Sequence, residues 1–382
     1  MSNLRDRLKR IQEQKKSETM QAVDQISDSQ SDKTQFQNNS VLINLGWQSC
    51  GFNVLKRVVD FPSPFKKINE FPLAVKIIIP DLQKYELLNK NLPTVEDLLF
   101  FDLETTGLST GAGTIAFLAG FGRYYSNKFR ITQYLLLDYS GQNDFLENII
   151  NELNGQRSII VSYNGKTYDA SIIKTMCLMN RLNIPIAFAD ENKEYIHADL
   201  LHPARRLWKN ITENCSQASI ETQIIGLDRS GDIPGALAPD IWFDFLKSGR
   251  TEQLMGICDH NKADICGLAQ IFSYMILIAK NPFNTKLIYN IERLALYWRK
   301  YINRSLNLIN NELKLLGEKL LKYAAQNENK KAVYIYSYDQ MRKNNYEEAL
   351  KYIEIGLKLF KNDEEPHVML QRRKERLERK IR

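Results

Sequence analysis

The sequence is poor in cysteine for its length, with five cysteines among 382 residues. They occur singly and form no C-x-x-C pair: Cys50, Cys177, Cys215, Cys258 and Cys266. This spacing gives no sign of a disulfide framework or of a structural zinc site. We therefore interpret the cysteines as reduced, mostly packed thiols of a cytoplasmic protein.

Long hydrophobic runs are also missing. No apolar stretch approaches the roughly 20 residues that a membrane-spanning helix needs. The first residues, MSNLRDRLKRIQEQKKSETM, lack the apolar core of a signal peptide. With 43% hydrophobic residues, the composition is that of a globular protein, which we expect in the cytoplasm and away from membranes.

Acidic residues are outnumbered in the last quarter of the chain. Residues 286–382 hold 22 Lys and Arg against 13 Asp and Glu, a balance of +9, whereas the whole chain carries +7. A basic region of this kind attracts nucleic acid by releasing counterions. Solvated faces of ordinary helices would give the same composition, so both interpretations stay open at this point.

The residue patterns divide the chain into four predicted regions. Residues 1–40 are predicted to form a short basic helix and a disordered, polar linker. Residues 41–97 are predicted to form a small β-rich lead-in, because VLINLGWQSCGFNVLKRVVDFPSPF and FPLAVKIIIP contain strand-like apolar stretches. An α/β domain over 98–282 and a wholly helical region over 286–382 follow.

The α/β domain is predicted from alternating strand and helix patterns. LLFFDLE, TIAFLAGFGRYY and FRITQYLLLD are successive strand candidates, and SIIVSYN is a fourth. QNDFLENIINEL and DASIIKTMCLMNRLN have the apolar spacing of helices, and TEQLMGICDHNKADICGLAQIFSYMILIAK reads as one long helix or two. This order predicts a mixed β-sheet flanked by helices.

Two acids lie at the end of the first of these strands. Asp102 and Glu104 share one face of the strand, because side chains repeat every two residues. Burying an unpaired carboxylate costs several kcal/mol, so a cation is expected nearby. A chance D-x-E and a metal site both fit this motif taken alone.

Two further acids are candidates for the same site. Asp169 follows the fourth strand and opens a helix, where an N-cap is the simpler interpretation. Asp264 lies four residues after His260 on a predicted helix, so the two side chains share a face, although a surface pair would do the same.

Taken together, the motifs DLETTG, YNGKTYD and HNKAD resemble those of the DnaQ-like (DEDD) 3′–5′ exonuclease superfamily, over about residues 98–280. The strings DLLHPARRLW and DIPGALAPDIWFDFL are similar to its bacterial YprB-like subfamily. One feature departs from the pattern. The superfamily has His with Asp five residues on, or Tyr with Asp four residues on, whereas His260 and Asp264 are four apart.

The resemblance implies a ribonuclease H-like α/β fold, followed by an all-α region similar to tetratricopeptide (TPR) repeats. NNYEEALKYIEIGLKLF resembles the second helix of such a repeat. These helices are a possible docking site for a protein partner.

The resemblance also implies a nuclease that uses two divalent cations, Mg²⁺ or Mn²⁺. Asp102 would bridge both ions, Glu104 and Asp264 would serve the nucleophile side, and Asp169 the leaving-group side. His260 would take a proton from the attacking water or only orient that water. The expected substrate-binding residues are Thr105, Thr106, Gly107, Leu108, Asn164, His202, Arg205 and Arg206.

Three functions are compatible with these residues. The first is a 3′–5′ exonuclease acting on single-stranded or frayed ends. The second is a non-catalytic scaffold that binds nucleic acid or protein, and the third is an endonuclease using the same metal site. No residue distinguishes DNA from RNA, whose 2′-hydroxyl is the discriminating group.

Overall fold

A computed structural model describes residues 41–65, 71–84, 93–107, 113–155, 159–189, 195–304 and 311–381. The predicted helix and linker at 1–40 therefore lie outside the described residues. At the centre is one mixed sheet of seven strands in the order β1-β2-β5-β4-β3-β6-β7. The strands are β1 (Gln48–Gly51), β2 (Val54–Pro62), β3 (Leu98–Thr105), β4 (Ala116–Tyr125), β5 (Lys128–Leu136), β6 (Ile159–Ser162) and β7 (Ile196–Asp199).

The predicted α/β fold with a mixed sheet is confirmed. Neighbouring strands from β1 to β3 run antiparallel, whereas β6 lies parallel to β3 and β7 parallel to β6. The four strands predicted in the α/β domain form β3, β4, β5 and β6. Because β3 and β6 are parallel, their carboxyl ends meet at one edge of the sheet, where the candidate acids lie.

The predicted β-rich lead-in contributes β1 and β2, which extend the same sheet through the pairing of β2 with β5. The strand-like interpretation of FPLAVKIIIP is wrong. This stretch forms a helical turn, Val75–Ile78, and a 3-10 turn, Pro80–Leu82, whose apolar side chains are buried. A short apolar run does not distinguish a strand from a buried helical turn. The domain boundaries stay predictions.

Helices cover the sheet and continue beyond it. They are α1 (Val75–Ile78), α2 (Gln142–Leu153), α3 (Asp169–Met179), α4 (Leu201–Trp208), α5 (Gln217–Ile220), α6 (Ala238–Ser248), α7 (Glu252–Lys280), α8 (Ile291–Arg304), α9 (Asn311–Gln326), α10 (Lys330–Arg342), α11 (Tyr346–Leu359) and α12 (Glu365–Ile381). A π-helix, Glu221–Ile225, continues α5.

The alternation of β3 side chains divides the core into two layers. Leu98 and Phe100 belong to the layer that includes Phe272 of α7, with the Phe100 and Phe272 rings 5.9 Å apart. Phe101 and the other odd-numbered residues face the opposite layer, where Phe101 stacks on Phe121 of β4 at 5.1 Å. Asp102 and Glu104 therefore lie on the α7 side of the sheet.

By length and composition alone, helix α7 is long and apolar enough to cross a membrane. However, 61% of its most apolar 18-residue stretch is buried inside the molecule. Its apolar length packs across β3 and β4. We therefore describe it as the core helix of the domain, and the predicted long helix is one continuous element.

The predicted helical region after the domain comprises α8 to α12, in which consecutive helices pack on each other. Trp298 is fully buried and donates its indole N–H to the Leu313 carbonyl at 3.1 Å. The guanidinium of Arg299 on α8 donates two hydrogen bonds, each of 2.6 Å, to the carboxylate of Asp339 on α10. The indole of Trp208 donates to the Ile288 carbonyl at 2.9 Å, which joins this region to the domain.

Close packing of α7 on β4 predicts a specific sensitivity to volume at Gly122. A Cβ added there would lie 2.5 Å from both Ile265 Cγ2 and Phe129 Cζ. We expect Gly122→Ala to lower the free energy of unfolding by about 1–3 kcal/mol, measured by chemical denaturation. Gly113→Ala is the control, because a Cβ there meets nothing within 4 Å, and it should change stability by no more than about 0.5 kcal/mol. Equal midpoints for the two variants would contradict this packing.

Candidate active site

The first two acids are presented by the end of β3. Asp102 pairs with Gly120 of β4, and Glu104 pairs with Leu118. The register then shifts between Glu104 and Thr105, which pairs with Ala116 and is the last residue of β3. Glu104 is buried, while Asp102 is partly exposed. The prediction that both carboxylates share one face is confirmed.

Asp102 is held by a buried asparagine that the sequence analysis did not identify. Asn261 of α7 donates its Nδ2 to Asp102 Oδ2 at 2.9 Å and accepts from Gln133 Nε2 at 2.9 Å. A Cβ at Gly120 would come within 2.3 Å of Asn261 Oδ1, so the glycine makes room for this amide. The neutral Asn261 and Gln133 thus orient Asp102 without neutralising it.

The third acid, Asp169, enters from the neighbouring strand. After β6 the chain turns at Gly165, and Asp169 becomes the first residue of α3, 5% exposed. The N-cap is Tyr168 rather than Asp169, so the capping interpretation does not explain this acid. A Cβ at Gly165 would lie 2.7 Å from Asp169 Oδ2, which shows how closely the turn wraps the carboxylate.

His260 and Asp264 complete the cluster from α7. Their side chains share one face of the helix, and His260 Nε2 lies 3.3 Å from Asp264 Oδ2. Ligand atoms of Glu104, His260 and Asp264 all lie within 4.8 Å of one another. Both α7 side chains are mostly buried, so the interpretation as an exposed surface pair does not hold.

Burial and neighbouring negative charges raise the pKa values of three of the four carboxyl groups. Burial, followed by the charges of Asp264, Asp169 and Glu104, raises the pKa of Asp102 well above its usual range. Burial and the charges of Asp264, Asp169 and Asp232 raise the pKa of Glu104 in the same way. The pKa of Asp169 rises to about 7, chiefly through burial. A cation bound among these carboxylates would favour their ionised form and so offset the repulsion between them.

One arginine approaches the cluster. Arg229 forms ion pairs with Asp264, with Glu221 at 2.7 Å and with Asp232 at 2.8 Å. In the described part of the chain, no lysine or arginine forms an ion pair with the other three acids of the cluster. The hard oxygen ligands that these acids offer suit a divalent cation such as Mg²⁺ or Mn²⁺.

The loop after Glu104 is tied to the start of α3. Thr105 Oγ1 lies 2.9 Å from the Tyr168 hydroxyl, and both hydroxyls donate to the Gly107 carbonyl. Thr106 Oγ1 accepts from the Ile115 amide at 3.0 Å. Three of the expected substrate-binding residues, Thr105, Thr106 and Gly107, therefore lie beside the acids, whereas Leu108 lies outside the described residues.

Asn164 lies in the turn between β6 and α3, in the left-handed conformation with φ of 65°. Its amide donates to Asp199 Oδ1 at 2.9 Å, and its side-chain oxygen accepts from Thr167. Asp199 also accepts the amide of Leu201 at 3.0 Å, so it organises the ends of β6 and β7. Asn164 itself is exposed near Asp169, and a role in positioning metal or substrate stays a prediction.

The three candidates on α4 are placed differently. His202 and Arg205 are exposed. Arg206 is engaged in packing, since its guanidinium donates to the Ile78 carbonyl at 3.2 Å and stacks 4.2 Å from the Tyr297 ring. Phosphate contacts by these three residues stay a prediction.

Asn261, Gln133, Arg229, Asp232 and Glu221 are the polar residues of the site that sequence reasoning missed. Asn261 stands next to His260 in HNKAD, and Asp232 is the first residue of the DIPG string. Both therefore lie within motifs that the sequence analysis had already singled out. For Gln133 and Glu221, the sequence carries no such signal, because their partners are distant along the chain.

Comparison with known proteins assigns the class of the domain. The model of the RNase H superfamily matches residues 99–276, which agrees with the observed sheet. The domain is RNase H-like. A protein of Bacillus subtilis (strain 168) described as uncharacterized protein YprB is 35% identical over 187 residues, or 49% of this chain. That match spans 42% of the Bacillus protein.

Several solved structures are more distant. The family B DNA polymerase of the hyperthermophilic archaeon Pyrobaculum calidifontis has a TM-score of 0.39 at 12% identity, over 56% of this chain and 30% of the polymerase. The zinc-bound complex of Escherichia coli ExoI with single-stranded DNA has a TM-score of 0.34 at 15% identity, over 56% and 45%. With TM-scores below 0.5, the function has to be argued from the site itself.

The raised carboxyl pKa values predict how pH and metal affect stability. Between about pH 4 and 7, folded Asp169 retains a proton that the unfolded chain releases, so its contribution to stability is lost as pH rises through about 7. A bound cation removes this loss. The increase in melting temperature on adding Mn²⁺ should therefore be larger at about pH 7.5 than at about pH 5.5.

Asp102→Asn is the informative variant for this measurement. It removes one of the mutually repelling charges, so it should reduce the increase that Mn²⁺ produces. Asp60→Asn is the control, because Asp60 pairs with Arg130 on β5 away from the cluster. A Mn²⁺ effect that is equal at both pH values, or unchanged in Asp102→Asn, would contradict metal binding by these acids.

Proposed function

We propose that this protein is a divalent-metal-dependent nuclease of the DnaQ-like (DEDD) type, which removes nucleotides from 3′ ends of single-stranded or frayed nucleic acid. One observation carries the proposal. Four carboxylates converge from β3, α3 and α7: Asp102, Glu104, Asp169 and Asp264. Their negative charges lie close enough together that, along with burial, they raise the pKa values of Asp102 and Glu104. Such a cluster suits a reaction in which cations must neutralise a phosphate.

When bound, two divalent cations would supply charge neutralisation at the attacking and departing oxygens of a phosphodiester. Asp102, Glu104, Asp169 and Asp264 would hold these cations, with Glu104 and Asp264 serving the nucleophile side and Asp169 the leaving-group side. Their placement on a strand end and two helices fixes them before substrate arrives, which lowers the reorganisation that the reaction requires.

His260 would serve the nucleophilic water. Its Nε2 lies 3.3 Å from Asp264 Oδ2, within the group that His260 forms with Glu104 and Asp264, where it would accept the proton that the water loses. The water oxygen then bonds to phosphorus, the bond from phosphorus to the 3′-oxygen breaks, and that oxygen takes a proton from solvent. Water is thereby added across one phosphodiester bond, which releases a nucleoside 5′-monophosphate.

The terminal nucleotide would bind beside the loop that follows Glu104. Thr105, Thr106, Gly107 and Leu108 belong to this loop, and the hydrogen bond from the Tyr168 hydroxyl to the Gly107 carbonyl keeps its start close to Asp169. Asn164, His202, Arg205 and Arg206 are proposed as more peripheral contacts to the strand. Since no residue can be assigned to a 2′-hydroxyl, the proposal covers DNA and RNA.

The remaining assignments are also proposals. The basic, TPR-like helices α8 to α12 would guide nucleic acid toward the site or bind a protein partner. A cytoplasmic location agrees with the five free cysteines.

The proposed activity is tested with oligonucleotides labelled at the 5′ end, as single- and double-stranded DNA and RNA, with Mg²⁺ or Mn²⁺. We expect the wild type to give a ladder of shortened products. Asp102→Asn should reduce the rate by about 100-fold or more, because it removes a carboxylate that holds the neutralising charge. Chelation of the metal should abolish cleavage.

Asp259→Asn is the matched control for this experiment. Asp259 lies on α7 next to His260 but is exposed and pairs with Arg57 and Lys262 on another face. The variant should retain the wild-type rate. Internal cuts that depend on Asp102 would identify an endonuclease, and tight binding without cleavage would identify a scaffold.

A further inference from the structure

The loop at residues 226–235 contacts the candidate active site through Arg229, which pairs with Asp264, and Asp232, which contacts His260. It follows the π-helix Glu221–Ile225 and ends where a 3-10 turn, Gly235–Leu237, begins. It contains the four residues of DIPG, Asp232 to Gly235, to which the proposed reaction gives no role. Asp232 contacts His260 from outside α7, and Gly235 lies so near the ring that a side chain there would meet it.

The two ring nitrogens of His260 face different partners. Nδ1 lies 2.9 Å from Asp232 Oδ1, whereas Nε2 lies 3.3 Å from Asp264 Oδ2. An ionised carboxylate can only accept a hydrogen bond. Both ring nitrogens lie near a carboxylate, but the contact of Nδ1 with Asp232 at 2.9 Å is the shorter one and has hydrogen-bond geometry, so it places a proton on Nδ1. In the neutral imidazole, Nε2 is then left as an acceptor that faces the reaction centre.

Arg229 fixes the orientation of Asp232. Its Nη1 donates to Asp232 Oδ2 at 2.8 Å, which leaves Oδ1 for His260. The same guanidinium donates from Nε to Glu221 Oε2 at 2.7 Å, and Glu221 is fully buried. The carboxylate beside His260 is thus anchored to the protein interior rather than to a mobile surface group.

Gly235 completes the contact on the other side of the ring. A Cβ at this position would lie 2.9 Å from His260 Nε2. The absence of a side chain therefore leaves Nε2 accessible, while Asp232 of the same loop holds Nδ1. In this loop, Asp232 orients the imidazole ring, and Gly235 leaves Nε2 uncovered by any side chain of its own.

We propose that Asp232 is a positioning residue that holds His260 in the tautomer with its proton on Nδ1, so that Nε2 is available to the attacking water. The consequence for catalysis rests on the proposed nuclease function, whereas the tautomer itself does not. Carboxylates that orient a histidine in this way affect the rate by about 10–100-fold in metal sites.

Asp232→Asn gives a sharp test because Arg229 constrains the new amide. Arg229 donates to residue 232, so the asparagine should turn its oxygen toward Arg229 and its NH₂ group toward His260. Nδ1 must then accept, and the proton moves to Nε2. The variant preserves shape and should fold like the wild type, which thermal unfolding checks.

The first readout is the imidazole ¹⁵N spectrum of the full chain, labelled at histidine, at about pH 8 with Mg²⁺, where an unperturbed imidazole is neutral. The chain has four histidines, and a His260→Gln sample assigns the signal. We expect Nδ1–H in the wild type and Nε2–H in Asp232→Asn. A wild-type proton on Nε2, or an unchanged tautomer in the variant, would overturn the inference.

The second readout is kinetic. Asp232→Asn should lower kcat at least about 10-fold, with KM and the half-saturating Mn²⁺ concentration within about 3-fold of the wild type. Asp228→Asn is the control, since Asp228 is exposed in the same loop and accepts only from Ser230. Wild-type kcat in Asp232→Asn would overturn the positioning role. If the wild type itself does not cleave, the nuclease proposal fails and the spectrum alone decides the inference.

Discussion

Mutual repulsion among four carboxylates is the constraint on which the centre of this structure depends. Asp102, Glu104 and Asp169 lie within each other's electrostatic reach, and burial raises the pKa of each of them. The partners that the described chain offers are a neutral amide for Asp102 and an arginine for Asp264. The cluster is therefore a costly arrangement in the absence of cations, and the rest of the domain has to stabilise it.

Packing supplies that stabilisation from the same elements that carry the acids. Two residues before Asp102, Phe100 contacts Phe272 of α7, and Ile265 next to Asp264 is fully buried. Gly120 and Gly122 let α7 approach β4 closely enough for Asn261 to reach Asp102. Each acid is thus attached to a buried segment, which keeps its carboxylate in place against repulsion.

Local periodicity explains what could be predicted from the sequence. The two-residue repeat of a strand predicted the shared face of Asp102 and Glu104, and the helical i, i+4 relation predicted that of His260 and Asp264. Bringing in Asp169 required the parallel pairing of β3 with β6. The roles of Gln133 and Arg229 depend on contacts with residues far away in the sequence. The strand prediction for FPLAVKIIIP is wrong because a strand and a helical turn can bury the same apolar run.

The unusual spacing of His260 and Asp264 has a physical consequence for the site. Both side chains project from one face of α7, which places His260 Nε2 3.3 Å from Asp264 Oδ2. The other ring nitrogen, Nδ1, makes the shorter contact, with Asp232 from outside the helix, and this contact sets the tautomer. Arg229 links this carboxylate to Asp264 itself. The loop at 226–235 and the helix therefore form one polar unit, in which the orientation of the histidine depends on residues some 30 positions away in the sequence.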